Sequence, residues 1–158
     1  MNCIFIGGYL RTGTTLVQTL LCSSPKTNPM IGEAVYLGDL LEAYHRSLKF
    51  FDEHSKDYFE NTDELTAHCA RTIEEHLQHV HQRLDCPEFL VLKRPQLTPQ
   101  LTLLHRMRPK DKIIVMVRDP RDVVASAVQG IQRGAKEFGS QDIKRIAMSM
   151  RFYTQSCS

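Results

Sequence analysis

The chain begins with a short apolar run that leads into a glycine-containing loop and then into a helical pattern. The run spans Cys3 to Ile6, the loop contains Gly8 and Gly13, and the helical pattern includes Leu16. The two glycines have the spacing of the phosphate-binding pattern G-x-x-x-x-G-K-S/T, which requires a strand before it and a helix after it. Inward-facing backbone N–H groups and a helix N-terminus allow such a loop to hold an anion. The pattern therefore predicts a strand over residues 2–7 and a helix over 14–23.

The loop differs from that pattern at one position. Thr14 stands where the pattern has Lys, and Thr15 takes the place of its Ser/Thr. The Lys normally reaches the terminal phosphates of a nucleoside triphosphate, so its absence leaves the loop poorly suited to ATP hydrolysis. Arg11 supplies a cation at a different place in the loop. We predict that the loop holds a phosphate-like anion.

Apolar periodicity divides the rest of the chain into alternating strands and helices. Short, nearly continuous apolar strands separated by helices indicate a parallel sheet that is buried on both faces. We therefore expect a single α/β domain over residues 1–158, a three-layer domain of the phosphate-binding-loop (P-loop) type with a parallel sheet flanked by helices. Thr62 is the predicted N-cap of the second long helix. Further strands are predicted at 88–93 and 112–117, and helices at 34–52, 62–84, 98–107, 120–134 and 140–155.

Residues suited to anions follow all three predicted strands. Gly7–Arg11, Lys93-Arg94 and Arg118-Asp119 stand at the strand ends, where ligands of parallel sheets bind. Asp119 and Pro120 suit the start of a helix, and Ser126 lies two turns along it. We interpret Arg118 and Ser126 as a second phosphate site, some distance from the loop.

Composition sets broad limits on the class of protein. The net charge of +2 gives no general attraction to polyanions, and the basic run at 106–112 lacks the interleaved aromatic residues of a nucleic-acid site. Five cysteines without a C-x-x-C pair predict free thiols in a reducing compartment. No apolar stretch reaches the roughly 20 residues that span a bilayer, and the early first strand leaves no room for a signal peptide. We expect a cytoplasmic protein that binds neither membranes nor nucleic acids.

Two motifs give the chain a resemblance to a known family, the sulfotransferases that use 3′-phosphoadenosine 5′-phosphosulfate (PAPS). Arg11-Thr12-Gly13-Thr14-Thr15-Leu16 matches the first family motif, R-S/T-G-T-T-L, and Val117 to Ser126 matches the second, V-R-D/N-P-R-D-x-x-x-S. Between them, Lys93-Arg94-Pro95 resembles the K-x-P element of the tyrosylprotein and bacterial branches. Gly32-Glu33 resembles the G-E segment found there. The resemblance covers residues 3 to about 128.

The resemblance implies a role for each matched residue. Arg11 to Thr15 would hold the 5′-phosphosulfate of PAPS, with Arg11 also counted among the catalytic groups, and Arg118 and Ser126 would hold the 3′-phosphate. Lys93 would stabilise charge on the departing bisphosphate, and Glu33 would act as the general base for an acceptor hydroxyl or amine. The family chemistry requires no metal. The acceptor stays open among small molecules, carbohydrates, peptides and lipids.

Several alternatives remain at this stage. Glu42 and His45 compete with Glu33 for the role of base. A P-loop kinase acting on a small molecule and a non-catalytic nucleotide-binding remnant are the competing functions. Members of the family are commonly longer, and their later part closes over the 3′-phosphate. We therefore expect residues 1–158 to be a fragment or a shortened member whose activity alone is open.

Overall fold

The computed structural model describes residues 1–133, so the helix expected at 140–155 lies outside the described residues. Within this range the chain alternates strands and helices, as the apolar pattern predicts. The strands are β1 (Asn2–Gly8), β2 (Phe89–Lys93) and β3 (Lys112–Met116). The helices are α1 (Thr14–Leu21), α2 (Val35–Lys49), α3 (Thr62–Arg83), α4 (Leu101–Met107) and α5 (Pro120–Arg133), with 3₁₀ turns at Ser55–Asp57 and Pro95–Gln100.

The three strands form one parallel sheet in the order β2-β1-β3. The register pairs Ile6 with Lys93 on one side and Gly8 with Met116 on the other. Phe5 and Ile6 of the central strand are completely buried. The predicted α/β class, a P-loop-type three-layer domain, is therefore confirmed. None of the described helices is long and apolar enough to cross a membrane.

The loop after α1 covers the outer edge of β2. The N–H of Phe89 donates to the Lys26 carbonyl at 3.0 Å, and the N–H of Val91 donates to the Asn28 side-chain oxygen at 2.6 Å. The Asn28 amide returns a bond to the Val91 carbonyl at 3.3 Å. Because Asn28 is buried, its side chain satisfies edge groups of β2 that would otherwise lack partners. This pairing fixes the path of the chain towards Glu33.

Several predicted helix boundaries were wrong by a few residues. Asn61, not Thr62, caps α3, because its side-chain oxygen accepts from the N–H groups of Asp63 and Glu64 at 3.0 and 2.9 Å. Asn is at least as good an N-cap as Thr. The helix expected from residue 98 becomes α-helical only at residue 101, after a 3₁₀ turn that contains Pro99. Helix α2 ends at residue 49 rather than 52.

The buried thiols generate a prediction about cysteine reactivity. Burial raises the pKa of the Cys3 and Cys69 thiols to about 11, whereas Cys86 is exposed. Since the thiolate is the reactive form, we expect iodoacetamide at about pH 8 to modify Cys86 in the native protein and the two buried cysteines only after unfolding. Peptide mass spectrometry reports each site. Fast native modification of Cys3 would contradict the burial described here.

Candidate active site

The loop between β1 and α1 has an unusual backbone. Gly8, Arg11 and Gly13 all have positive φ angles, of 141°, 67° and 99°. A Cβ on Gly8 would lie 2.7 Å from the Met116 carbonyl oxygen and 2.9 Å from the Thr12 hydroxyl. Gly8 is therefore required both by its φ and by the close approach of β3.

Hydroxyl groups hold the loop in this shape. The Gly8 N–H donates to the buried Thr98 hydroxyl at 2.7 Å, and that hydroxyl donates to the Pro95 carbonyl at 2.8 Å. Within the loop, the Thr12 hydroxyl donates to the Tyr9 carbonyl at 2.6 Å. The hydroxyl proton of Thr12 is thus used to shape the loop. The first N–H groups of a helix have no partner within the helix, so those at the start of α1 are suited to an anion.

Lys93, Glu33 and Thr15 come together at the carboxyl end of β2. The Lys93 ammonium donates to a Glu33 carboxylate oxygen at 2.8 Å and to the Thr15 hydroxyl at 3.4 Å. The Lys93 side chain is 8% exposed and that of Glu33 is 38% exposed. The main chain strengthens the pairing, because the Ala34 N–H donates to the Lys93 carbonyl at 3.0 Å. Three residues chosen from separate motifs therefore form one contact cluster.

The competing bases lie elsewhere. The Glu42 carboxylate accepts a hydrogen bond from the Gln100 amide at 2.7 Å, and His45 is exposed on α2. Glu33 is the carboxylate that pairs with Lys93. Among residues 1–133, no group of three or more His, Cys, Asp or Glu side chains is placed to hold a metal ion.

Arg118 and Ser126 contact the loop directly. The Arg11 guanidinium donates from Nε to the Ser126 hydroxyl at 3.2 Å and from Nη2 to the Ser126 carbonyl at 3.3 Å. Arg118 donates to the Arg11 carbonyl at 3.2 Å. The expectation that this second site lies some distance from the loop was wrong. Because β3 pairs directly with β1, the segments that follow the two strands start side by side.

The turn into α5 is capped as predicted. Asp119 accepts bonds from the N–H and the Nε of Arg121 at 2.8 and 3.0 Å, and from Nη2 at 2.6 Å. These bonds from Arg121 lower the pKa of the Asp119 carboxyl. The carboxylate of Asp119 is therefore engaged by a cation of its own turn.

Sequence reasoning missed two residues that shape the site. Thr98 supports Gly8, as described above, and Gln18 is fully buried in α1 with its amide donating to the Ile31 carbonyl at 2.9 Å. The Gln18 contact holds the segment that leads to Glu33 against α1. Gln18 could have been found from the sequence, because it is a polar residue within an apolar helix pattern. Thr98 has no such signal, because its partner lies 90 residues away in sequence.

Comparison with known proteins identifies a family but no individual relative. The family model described as the sulfotransferase family matches residues 3–157 of the chain. A search of curated proteins finds no significant match. The matched range includes the loop, the Lys93 and Glu33 positions and the Arg118–Ser126 segment.

The steric requirement at Gly8 generates a stability prediction. We expect Gly8→Ala to lower the free energy of unfolding by about 1–3 kcal/mol, because Ala is strained at this φ and its Cβ meets backbone of β3. Gly32→Ala is the matched control, since a Cβ there has nothing within 4 Å. Urea denaturation of both variants measures the difference. Equal stability of the two variants would contradict the packing described for the loop.

Proposed function

Because the chain belongs to the sulfotransferase family, we propose that it transfers a sulfuryl group from PAPS to a hydroxyl or amine of an acceptor molecule. The observation that carries this proposal is the buried Lys93 ammonium, 2.8 Å from Glu33 and 3.4 Å from Thr15. A cation, a carboxylate and a loop hydroxyl are the groups that this reaction needs in one place. They lie at the strand end where ligands of parallel sheets bind.

The side chains at this sheet edge suit a donor that carries two separate anionic groups. The loop offers backbone N–H groups and the start of α1 to the phosphosulfate. Arg118 and Ser126 lie beside the loop and offer a guanidinium and a hydroxyl to a second phosphate. Arg11 belongs to the loop and also contacts Ser126. It is therefore placed between the two proposed anion sites, the one for the phosphosulfate and the one for the 3′-phosphate.

Each residue of the cluster has a distinct part in the proposed reaction. PAPS supplies a sulfuryl group activated by attachment to a phosphate leaving group. Glu33 accepts the proton from the acceptor hydroxyl or amine, which general-base catalysis requires to be within hydrogen-bond reach. Lys93 offers its ammonium to the oxygen on which negative charge develops, an electrostatic contribution that is large in a water-poor site. Thr15 and the loop hold the reacting groups in line.

The kinase alternative has less support. It requires a lysine after Gly13 and a carboxylate available to magnesium. Thr14 occupies the lysine position and is buried, and the Asp119 carboxylate is engaged by Arg121. These two observations favour a sulfuryl donor over ATP.

The proposal also covers the branch of the family, the location in the cell and the class of acceptor. The Lys93-Arg94-Pro95 and Gly32-Glu33 elements support a place near the tyrosylprotein and bacterial branches. The cysteine pattern supports a cytoplasmic location. The acceptor class stays open among small molecules, carbohydrates, peptides and lipids, because acceptors are selected by surface loops that vary independently of the fold.

Nucleotide binding is the first prediction of the proposal. We expect 3′,5′-adenosine bisphosphate to bind without magnesium and ATP with magnesium to stay inert. Arg118→Ala should weaken bisphosphate binding about tenfold or more, because it removes a charged hydrogen-bond donor. Arg121→Ala is the matched control, since that guanidinium is bound to Asp119. Isothermal titration calorimetry measures all four cases, and magnesium-dependent ATP binding with an inert bisphosphate would contradict the proposal.

Turnover is the second prediction. We expect Glu33→Gln and Lys93→Met each to lower sulfuryl transfer by roughly 100-fold or more, and Glu33→Gln to retain bisphosphate binding. The assay follows radiolabelled sulfur from PAPS into a panel of phenols, sugars and tyrosine peptides. Glu42→Gln is the matched carboxylate control and should keep full activity. If Glu42→Gln abolished transfer and Glu33→Gln did not, the assignment of the base would be wrong.

A further inference from the structure

Arg94, the residue between Lys93 and Pro95, reaches across to the first turn of α2. Its Nη1 donates to the Val35 carbonyl and, at 3.2 Å, to the Asp39 carboxylate. Its own backbone N–H donates to the Ile6 carbonyl at 3.1 Å. The side chain is only 18% exposed. Arg94 therefore ties α2 to the central strand of the sheet.

A glycine in α2 leaves room for this guanidinium. A Cβ on Gly38 would lie 2.5 Å from Nη1, 2.7 Å from Cζ and 2.9 Å from Cδ of Arg94. Gly38 is buried inside a helix, where glycine is less favourable than alanine. The helix thus carries a locally unfavourable residue at the one turn where Arg94 packs against it.

The segment held by Arg94 is the one that presents Glu33. Lys93 binds Glu33 through its ammonium and Ala34 through its carbonyl, and Arg94 binds Val35, the next residue along the chain. Lys93, the last residue of β2, and Arg94, which follows it, therefore bind three consecutive residues, Glu33 to Val35, at the start of α2. We propose that Arg94 is a positioning residue, which fixes Glu33 beside Lys93 by holding the first turn of α2. This inference rests on the proposed function for the role of Glu33.

The chemistry of the guanidinium suits this task. Arg presents several N–H donors in a planar, rigid fork and is always charged, whereas Lys offers a flexible point charge. Binding a backbone carbonyl and a carboxylate at once uses that fork. The ion pair with Asp39, which is 65% exposed, helps to orient the guanidinium, while the bond to Val35 holds the backbone two residues after Glu33.

A double-mutant cycle tests whether Arg94 acts through Glu33. We expect Arg94→Met to lower sulfuryl transfer by about 10- to 100-fold, since a small misplacement of a catalytic group has effects of that size. In a Glu33→Gln background the same substitution should change transfer by less than about twofold, because residues that act through one another are not additive. Equal losses in both backgrounds, or full activity of Arg94→Met, would overturn the inference.

Gly38→Ala separates positioning from stability. The added Cβ displaces the guanidinium without removing it, and alanine favours the helix. We expect transfer to fall as in Arg94→Met, with a smaller loss of melting temperature than Arg94→Met shows. Arg46→Met, on an exposed position of the same helix, is the control and should leave both quantities unchanged. Full transfer by Gly38→Ala would count against the inference.

Hydrogen exchange provides a measurement that does not depend on catalysis. The Ala34 N–H is bonded to the Lys93 carbonyl, so it should exchange faster in Arg94→Met than in the unmodified protein, and at an unchanged rate in Arg46→Met. If the unmodified protein transferred no sulfuryl group to any acceptor, the proposed function would fail. The exchange rate of Ala34 would still test whether Arg94 holds the segment from Glu33 to Val35. Unchanged exchange of Ala34 in Arg94→Met would overturn the inference.

Discussion

Strand β1 pairs in parallel with β2 on one side and with β3 on the other, and this pairing decides where the residues of the candidate active site lie. Parallel strands end at the same edge of a sheet, so the loop after β1, Lys93 at the end of β2 and Arg118 just after β3 become neighbours. The register sets how far each strand extends towards this edge, because Ile6 lies opposite Lys93 and Gly8 lies opposite Met116. A shift of one residue would turn Lys93 to the other face of the sheet.

The cluster at the end of β2 compensates a buried charge and contains the residues to which we assign the proposed chemistry. A buried ammonium costs several kcal/mol of desolvation unless a carboxylate and further hydrogen bonds compensate it. Glu33 and Thr15 supply that compensation for Lys93. The carboxylate that satisfies the buried charge is therefore the one to which we assign the role of base in the proposed reaction, and its side chain is 38% exposed.

Sequence reasoning located the strands, the described helices and the glycine-containing loop because these depend on local patterns. Apolar runs gave all three strands within one residue at each end, and the spacing of Gly8 and Gly13 gave the loop. It did not find Thr98 and Gly38 as supports of the site, and it took Arg94 for an anion-binding residue, whereas the Arg94 guanidinium binds the Val35 carbonyl and the Asp39 carboxylate. Each of these depends on a partner far away in sequence, so no local period or spacing distinguishes it. The distance between Arg118 and the loop was misjudged for the same reason. It depends on the order of the strands in the sheet, not on separation along the chain.

The contact between Arg11 and Ser126 bears on the kind of ligand that the sheet edge suits. A nucleoside triphosphate presents its charges in one contiguous row, which a loop with its own lysine can follow. Here the cations are divided between two adjoining groups, with Arg11 bonded to Ser126 and Arg118 bonded to the Arg11 backbone. A ligand that bound only at the loop would leave the Arg118 guanidinium paired with the Asp122 carboxylate, 3.8 Å away, and would not use the Ser126 hydroxyl. A ligand with two anionic groups on opposite sides of a ribose would satisfy both groups at once. This arrangement of charge suits the proposed donor, PAPS, which carries a phosphosulfate and a separate 3′-phosphate, and it follows from placing β3 directly beside β1.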